Sequence, residues 1–230
     1  MIKMNSWLFI DSGKNDAAYN MALDETLLDT AAELGAPVLR FYGWTQPAAS
    51  FGYFQRYAEV ARTTLLRPLV RRPTGGGIVP HDVDWTYSFV VPPGHEWHQL
   101  KAEESYRRIH DWIRMAFDRL KLPTELAPAA KKSAPGQCFV GHERFDLLWH
   151  GKKIAGAAQR RNQLGLLIQG SIQPPPGAPE RDDFHQAMRE TAVERYQVTW
   201  KEMVLHRTSD ARAHELARQK YSQIDYNQKR

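Results

Sequence analysis

The sequence predicts an α+β protein in which one mixed β-sheet is flanked by helices. Short segments rich in β-branched and aromatic residues recur along the chain, two longer segments have helical spacing, and Gly/Pro-rich turns separate them. Of the 230 residues, 42% are hydrophobic and 25% are charged, so the chain can bury a substantial core. We expect residues 1–230 to form a single domain.

The first half of the chain should contain five strands and two long helices. A strand at residues 7–10 precedes a helix that runs to about residue 34, because Asn15 or Asp16 can cap its free backbone N–H groups. An amphipathic helix is expected at residues 100–121, where apolar residues form a continuous stripe. Further strands are predicted at residues 38–42, 49–53, 69–72 and 85–91.

The second half should complete the sheet and end in a helical tail. A hairpin is predicted from residues 145–149 and 153–158, and a further strand at residues 164–172. The triple proline at residues 174–176 is the sharpest break and could be a domain linker. The polar, mostly helical segment beyond it is short for an independent core, which favours one domain.

Charge and composition exclude several classes of protein. A formal net charge of +5 attracts polyanions in general, but the basic pairs are scattered and no nucleic-acid motif is present. The single cysteine excludes an intrachain disulfide and fits a reducing cytoplasm. No segment is apolar for long enough to span a membrane, and the apolar run at residues 7–10 is too short for a secretory signal. We therefore expect a cytoplasmic protein that binds neither nucleic acid nor membrane.

A glycine-rich loop is the first candidate site. Gly75, Gly76 and Gly77 lack Cβ atoms, so their backbone N–H groups could approach a bound group closely. Arg71 and Arg72 precede them and could bind a phosphate or a carboxylate. The alternative interpretation is a flexible hairpin turn. The spacing matches neither the P-loop nor the dinucleotide-binding fingerprint.

The lone cysteine is the second candidate. Cys138 could be a buried, inert thiol, or a nucleophile if a neighbouring cation favours the thiolate. Lys153 lies 15 residues further on, and a chain that turns back could bring its ammonium to the sulfur. His81 could line the same pocket as the glycines, or could be a polar residue at a strand edge. No histidine or cysteine spacing matches a metal site, so no metal is expected.

These residues resemble the signature of a known superfamily. The segment from Arg71 to Gly77, followed by His81-Asp82, is similar to the signature loop of the biotin/lipoate protein ligases and octanoyltransferases. Other motifs match in order: Asp11-Ser12-Gly13, residues 20–25, residues 40–44, residues 52–55, the lysine motif at residues 151–159, and Gly170-Ser171-Ile172. The resemblance covers most of the chain up to the triple proline and implies the catalytic-domain fold of that superfamily.

Within the superfamily, the chain most resembles the cysteine/lysine octanoyltransferases of lipoate biosynthesis. That resemblance implies transfer of octanoyl from acyl carrier protein to a lysine of a lipoyl-carrier protein, typically the glycine-cleavage H protein. It implies that Cys138 forms an acyl thioester, that Lys153 assists it, and that neither ATP nor a cofactor is needed. The substrate-binding residues implied by the resemblance are Arg71, Arg72, Gly75, Gly76, Gly77, His81, Ala155, Gly156 and Gly170.

Other functions share some of these residues. An ATP-dependent lipoate ligase would use the arginine/glycine loop for an acyl-adenylate phosphate, and an amidotransferase would move octanoyl between two carrier proteins with the same cysteine and lysine. A non-catalytic binding module is the alternative from another class. The chain also departs from the family pattern at Gln169, where a histidine is common, and at residues 140–143.

Overall fold

The computed structural model describes residues 5–131 and 141–229. The strands are β1 (Asn5–Asn15), β2 (Val38–Trp44), β3 (Ala48–Phe51), β4 (Leu69–Arg71), β5 (Val79–His81), β6 (Trp85–Val91), β7 (Glu125–Leu126), β8 (Leu147–Trp149), β9 (Lys152–Asn162), β10 (Gly165–Ile172) and β11 (Val198–Glu202). The helices are α1 (Ala17–Asp29), α2 (Ala31–Leu34), α3 (Tyr57–Thr63), α4 (Glu96–Gln99), α5 (Ala102–Arg119), α6 (Arg181–Tyr196), α7 (Arg207–Leu216) and α8 (Ile224–Asn227). A π-helical segment, Ala217–Tyr221, follows α7 directly.

These strands form two sheets within the described residues. The larger sheet has the order β11-β1-β2-β6-β10-β9-β8-β7, with parallel pairs on both sides of β1 and antiparallel pairs elsewhere. The smaller sheet has the order β4-β3-β5, and the glycine loop connects β4 to β5. The predicted mixed sheet flanked by helices is confirmed.

The two faces of the larger sheet bury different sets of helices. Leu39 and Phe41 of β2 lie in a core cluster that also contains residues of α5 and α6. The alternate residue Val38 lies in a second cluster, with residues of α1 and α7. Because successive side chains of a strand point to opposite faces, this alternation places α1 and α5 on opposite sides of the sheet.

The first helix begins where the sequence indicates and ends earlier. The Asp16 side chain accepts a hydrogen bond of 2.8 Å from the backbone N–H of Tyr19, so Asp16 is the N-cap. The predicted helix to residue 34 is divided at Thr30, whose hydroxyl donates to the carbonyl of Thr26 at 2.9 Å. Such a bond offers the backbone an alternative to the regular helical pattern, and α2 continues the segment as a separate turn.

The amphipathic α5 is confirmed as the longest helix of the described chain. Its buried face includes Trp112, whose indole N–H donates to the carbonyl of Met188 at 2.7 Å and so joins α5 to α6. In residues 5–131 and 141–229, no helix combines the length and the apolar character that crossing a bilayer would require.

The segment after the triple proline differs from the helical tail expected of it. It contributes β11, which pairs in parallel with β1 from Asn5↔Val198 to Phe9↔Glu202. The sequence signal for this strand is weak because it lies at the sheet edge and Val198 is its one buried residue. Phe184 and Met188 of α6 enter the same core cluster as the first strands. The segment is therefore part of the main sheet and its core.

We expect Phe184→Ala to lower the free energy of unfolding by about 3–5 kcal/mol, because it leaves a cavity in the main core. Val193→Ala on the same helix is the control, since Val193 is 47% exposed and should change stability by less than about 0.5 kcal/mol. Denaturant unfolding of the full chain measures both. Equal stabilities of the two variants would contradict the shared core.

Candidate active site

A cavity lies beside the glycine loop, between α1 and the strands β9 and β10. Its wall combines apolar side chains with a small number of polar groups, which is typical of sites for small organic ligands. The described residues that line it are Met21, Tyr42, Ser50, Arg72, Gly76, Val79, His81, Thr86, Lys153, Gly156, Ala157, Ala158, Gln169, Gly170 and Ser171.

Lys153 lines this cavity as one half of a buried ion pair. Its Nζ lies 2.7 Å from Oδ2 of Asp146, and the two side chains are 7% and 0% exposed. The pairing of β8 with β9 contains a bulge beside Leu148, which pairs with Lys153. Bulges redirect side chains and are common beside active sites, so this irregularity helps to aim Lys153.

Two glycines make room for this arrangement. A Cβ atom on Gly156 would lie 2.6 Å from Cε and 2.7 Å from Nζ of Lys153, so the lysine side chain crosses the bare backbone of β9. A Cβ atom on Gly170 of β10 would overlap the ring of Tyr87, its partner on β6. Neither position can take a larger residue unless these side chains move.

The Asp146 carboxylate is fixed by further donors. The Tyr106 hydroxyl donates to Oδ1, and the backbone N–H of Glu143 donates to Oδ2 at 2.6 Å. Burial, followed by the neighbouring Asp146 charge, raises the pKa of Tyr106 well above its usual value. Tyr106 therefore stays protonated and remains a donor, which holds the carboxylate in position to orient Lys153.

The glycine loop is shaped by Arg72. Its guanidinium donates to the carbonyl of Gly75 at 2.6 Å and to the carbonyl of Gly77 at 2.7 Å. Gly76 adopts a left-handed φ of 87°, which favours glycine. On the other side, a Cβ atom on Gly52 would overlap the carbonyl oxygen of Gly76. The loop is thus held between a buried cation and a bare backbone.

Arg71, the neighbouring arginine, lies in a different environment. Its guanidinium donates to the carbonyls of Tyr53 and Gln55, each at 2.7 Å, and to the carbonyl of Asn227 at 2.8 Å. Its backbone N–H donates to Oδ1 of Asn227 at 2.7 Å. Arg71 therefore joins β4 to the C-terminal helix α8.

His81 is held on the cavity wall by three side chains. Its Nδ1 lies 2.8 Å from Oδ2 of Asp84, and its Nε2 lies 2.8 Å from Oγ of Ser50. The ring stacks on Trp44 with the centroids 3.9 Å apart. The position and the plane of the imidazole are therefore fixed.

A buried polar network forms the floor of the cavity. Asp24 of α1 accepts hydrogen bonds from Arg40, Tyr42, Ser88 and Gln169, the last at 2.7 Å. The amide oxygen of Gln169 accepts from the hydroxyl of Thr74 at 2.7 Å. Gln169, the position that departs from the family pattern, thus connects Asp24 to the glycine loop.

The structure separates the predicted site residues into three groups. Those that line the cavity are Arg72, Gly76, His81, Lys153, Gly156 and Gly170. Those that are not among the described lining residues are Arg71, Gly75, Gly77 and Ala155. Ala155 is packed in the core on the α5 side of the sheet. Cys138 lies outside the described residues.

Sequence reasoning missed several residues of this site. Asp146, Ser50 and Tyr106 lie far apart in the chain, on a loop, a strand and a helix, and none belongs to a motif that indicates a role. Asp146 offered one signal, because it is an acidic residue that directly precedes a strand of the hairpin that carries Lys153. In the described parts of the chain, no three His, Cys, Asp or Glu side chains are grouped to hold a metal ion.

Comparison with known proteins identifies relatives along most of the chain. The family described as the lipoyl protein ligase A/B catalytic domain matches residues 16–200. A protein named octanoyltransferase LipM from Halalkalibacterium halodurans is 40% identical over 182 residues, which are 74% of this chain and 66% of the relative. The octanoyltransferase LipM of Bacillus subtilis is 36% identical over 184 residues, with the same two shares. The matched region thus spans slightly less than two thirds of each relative.

Solved structures share the fold at lower sequence identity. A lipoate-protein ligase A bound with ATP has a TM-score of 0.78 and 20% identity, and covers 98% of this chain and 99% of its own. A bi-partite lipoate protein ligase from Thermoplasma acidophilum has a TM-score of 0.72 and 19% identity, with shares of 98% and 96%. These likenesses concern the fold alone.

Removing one partner of the Asp146–Lys153 pair should be strongly destabilising, because a buried charge is then left without its counterion. We expect Asp146→Asn to lower the free energy of unfolding by about 3 kcal/mol. Adding Lys153→Met should cost less than the sum of the two single changes in a double-mutant cycle. The control is Glu103→Gln at the exposed pair with Arg144, which should cost less than about 1 kcal/mol. If the two single changes in the free energy of unfolding simply add in the double variant, the two side chains do not form a buried pair.

Stability should fall as the pH falls from about 6.5 to 4. Burial lowers the pKa of His110 on α5 to about 4, whereas an unfolded histidine titrates near 6.5. The unfolded chain therefore binds the proton first, and up to about 3 kcal/mol present above pH 6.5 is lost towards pH 4. Urea unfolding of His110→Gln should show a flatter pH dependence, whereas the exposed control His214→Gln should follow the parent chain. Parallel curves for all three would refute the assignment.

Proposed function

The chain belongs to the family of lipoyl protein ligase A/B catalytic domains, and we propose that it is an octanoyltransferase of lipoate biosynthesis. In this proposal, residues 1–230 act as one cytoplasmic acyltransferase domain that takes octanoyl from acyl carrier protein. The acceptor is a lysine of a lipoyl-carrier protein such as the glycine-cleavage H protein. The names of relatives 36–41% identical to the chain agree with this activity.

The observation that carries the proposal is the position of Lys153. A lysine ammonium on the wall of a partly apolar cavity can favour a thiolate and can exchange a proton with a leaving group. Its ion pair with Asp146 keeps that ammonium at one place. An acyl group and a charged sulfur would meet there, which is the requirement of thioester exchange.

The described ends of the segment that carries Cys138 support its role as the nucleophile. Lys131 and His142 form a two-way backbone bridge of 2.7 and 3.0 Å. From His142 the chain reaches Asp146, the partner of Lys153, within four residues. The described residues on either side of that segment, Lys131 and His142, are therefore paired close in the chain to the partner of the cavity lysine.

The chemistry proceeds in two acyl transfers. The Cys138 thiolate attacks the octanoyl thioester, which forms an acyl-enzyme and releases the thiol of acyl carrier protein. The acceptor amine then attacks that thioester and forms an amide. The first step exchanges one thioester for another and needs no ATP. Backbone N–H groups of the glycine loop would stabilise the negative charge that develops on the carbonyl oxygen.

The cavity wall and the net charge fit these substrates. Val79, Met21 and Ala157 give the cavity apolar surface for an octanoyl tail. A net charge of +5 suits acidic carrier proteins, because complementary charge steers encounter.

We expect the chain to transfer octanoyl from octanoyl-acyl carrier protein to an H protein without ATP. Intact-protein mass spectrometry should detect one octanoyl group on the enzyme, removable by neutral hydroxylamine as a thioester. Cys138→Ala and Lys153→Met should each lower the transfer rate by at least about 1,000-fold. Lys152→Met is the matched control, because the neighbouring Lys152 is exposed and should matter less than about twofold.

Three donors separate the related functions in the same assay. A strict requirement for ATP with free octanoate would indicate a ligase, and transfer from a second octanoylated carrier protein would indicate an amidotransferase. Either result in the absence of transfer from acyl carrier protein would overturn the proposal. Full activity of Cys138→Ala would remove the cysteine from the mechanism.

A further inference from the structure

The cavity contains a second array with the geometry of a nucleophile and its base. Oγ of Ser50 lies 2.8 Å from Nε2 of His81, and Nδ1 of His81 lies 2.8 Å from Oδ2 of Asp84. The His81 and Asp84 side chains are 3% and 1% exposed, and Ser50 is buried. Ser50 and His81 both line the cavity. A hydroxyl, an imidazole and a carboxylate in this order form the hydrogen-bonded series that activates serine nucleophiles.

The hydrogen-bond partners of His81 and Asp84 determine which ring nitrogen of His81 carries the proton. Oδ2 of Asp84 also accepts from the hydroxyls of Thr86 at 3.0 Å and Ser171 at 2.7 Å. A carboxylate that accepts from these groups accepts from His81 too, so Nδ1 carries the proton. In the neutral ring, Nε2 is then an acceptor, and Ser50 donates its hydroxyl proton to it. This is the tautomer that a general base requires.

Two further contacts prepare the Ser50 oxygen for reaction. A guanidinium nitrogen of Arg72 lies 3.3 Å from Oγ and donates a hydrogen bond to it, which fixes the position of the hydroxyl oxygen. The stacked Trp44 ring fixes the plane of the imidazole. The array is thus oriented before any ligand arrives, which is the condition for efficient nucleophilic catalysis.

We propose that Ser50, His81 and Asp84 form a second acyl-transfer centre, with which the chain hydrolyses medium-chain acyl esters and thioesters independently of Cys138. Oγ of Ser50 attacks the acyl carbonyl carbon and forms an ester bond while the bond to the leaving group breaks. The hydroxyl proton passes to Nε2 of His81 and then to the leaving alkoxide or thiolate. Water attacks the acyl-serine, gives its proton to His81, and releases the carboxylic acid as Ser50 regains its proton.

The decisive experiment uses the full chain with Cys138→Ala, so that the thiol cannot react. It is incubated with p-nitrophenyl octanoate, and release of p-nitrophenolate and the intact mass are followed together. We expect one octanoyl group on the peptide that contains Ser50, resistant to neutral hydroxylamine because oxygen esters react more slowly than thioesters. Hydrolysis should fall about 100-fold when Ser50→Ala or Asp84→Asn is added.

Matched variants make the result unambiguous. Ser105→Ala removes another fully buried hydroxyl, on α5 and outside the cavity, and should leave hydrolysis unchanged. Ser50→Cys in the Cys138→Ala chain should give an adduct that neutral hydroxylamine removes, which locates the acyl group even if hydrolysis is slow.

Two outcomes would overturn the proposal. One is equal hydrolysis with and without Ser50, with no oxygen-ester adduct. The other is that Ser50→Ala slows only the octanoyl transfer that depends on Cys138 and leaves ester hydrolysis unchanged. The array would then position groups for that transfer and would not be a separate centre. Because the assay contains neither carrier protein nor Cys138, failure of the octanoyltransferase proposal would not affect it.

Discussion

The buried carboxylate of Asp24 is the interaction on which the architecture around the cavity depends. A charge with no exposed surface is very costly unless several donors surround it. Here the donors come from three neighbouring strands: Arg40 and Tyr42 on β2, Ser88 on β6 and Gln169 on β10. The first helix therefore has one position over the sheet at which all of them are satisfied. Through Gln169 and Thr74, that position also fixes the start of the glycine loop.

Sequence periodicity predicted the main helices and most long strands, because each of them buries a continuous face. It failed where an element depends on a distant partner. The edge strand β11 has one buried residue and is a strand because β1, far away in the chain, offers free backbone groups. Thr30 divided the first helix through a local hydroxyl contact that periodicity does not register. Lys153 was found through its motif, whereas its partner Asp146 was not, since ion pairing is decided in three dimensions.

Neighbouring residues in the glycine loop and in the lysine motif have different environments that their motifs do not reveal. The sequence presented Arg71 and Arg72 as equivalent ligands, and likewise Ala155 and Gly156. Adjacent residues can lie in different environments, and which of them meets a cavity depends on the elements that pack around it. Arg72 and Gly156 face it, whereas Arg71 is directed to α8 and Ala155 to the core. The motifs do not distinguish the two members of each pair, whereas the fold does.

The contact between Arg71 and Asn227 has a consequence for the order of events during synthesis. Arg71, at the end of the strand that leads into the glycine loop, donates its backbone N–H and one guanidinium N–H to Asn227, which lies 156 positions later. A ribosome must therefore release residue 227 from its exit tunnel before this junction can close. Until then the nascent chain presents a glycine loop without these contacts, and the loop is complete only when helix α8 docks.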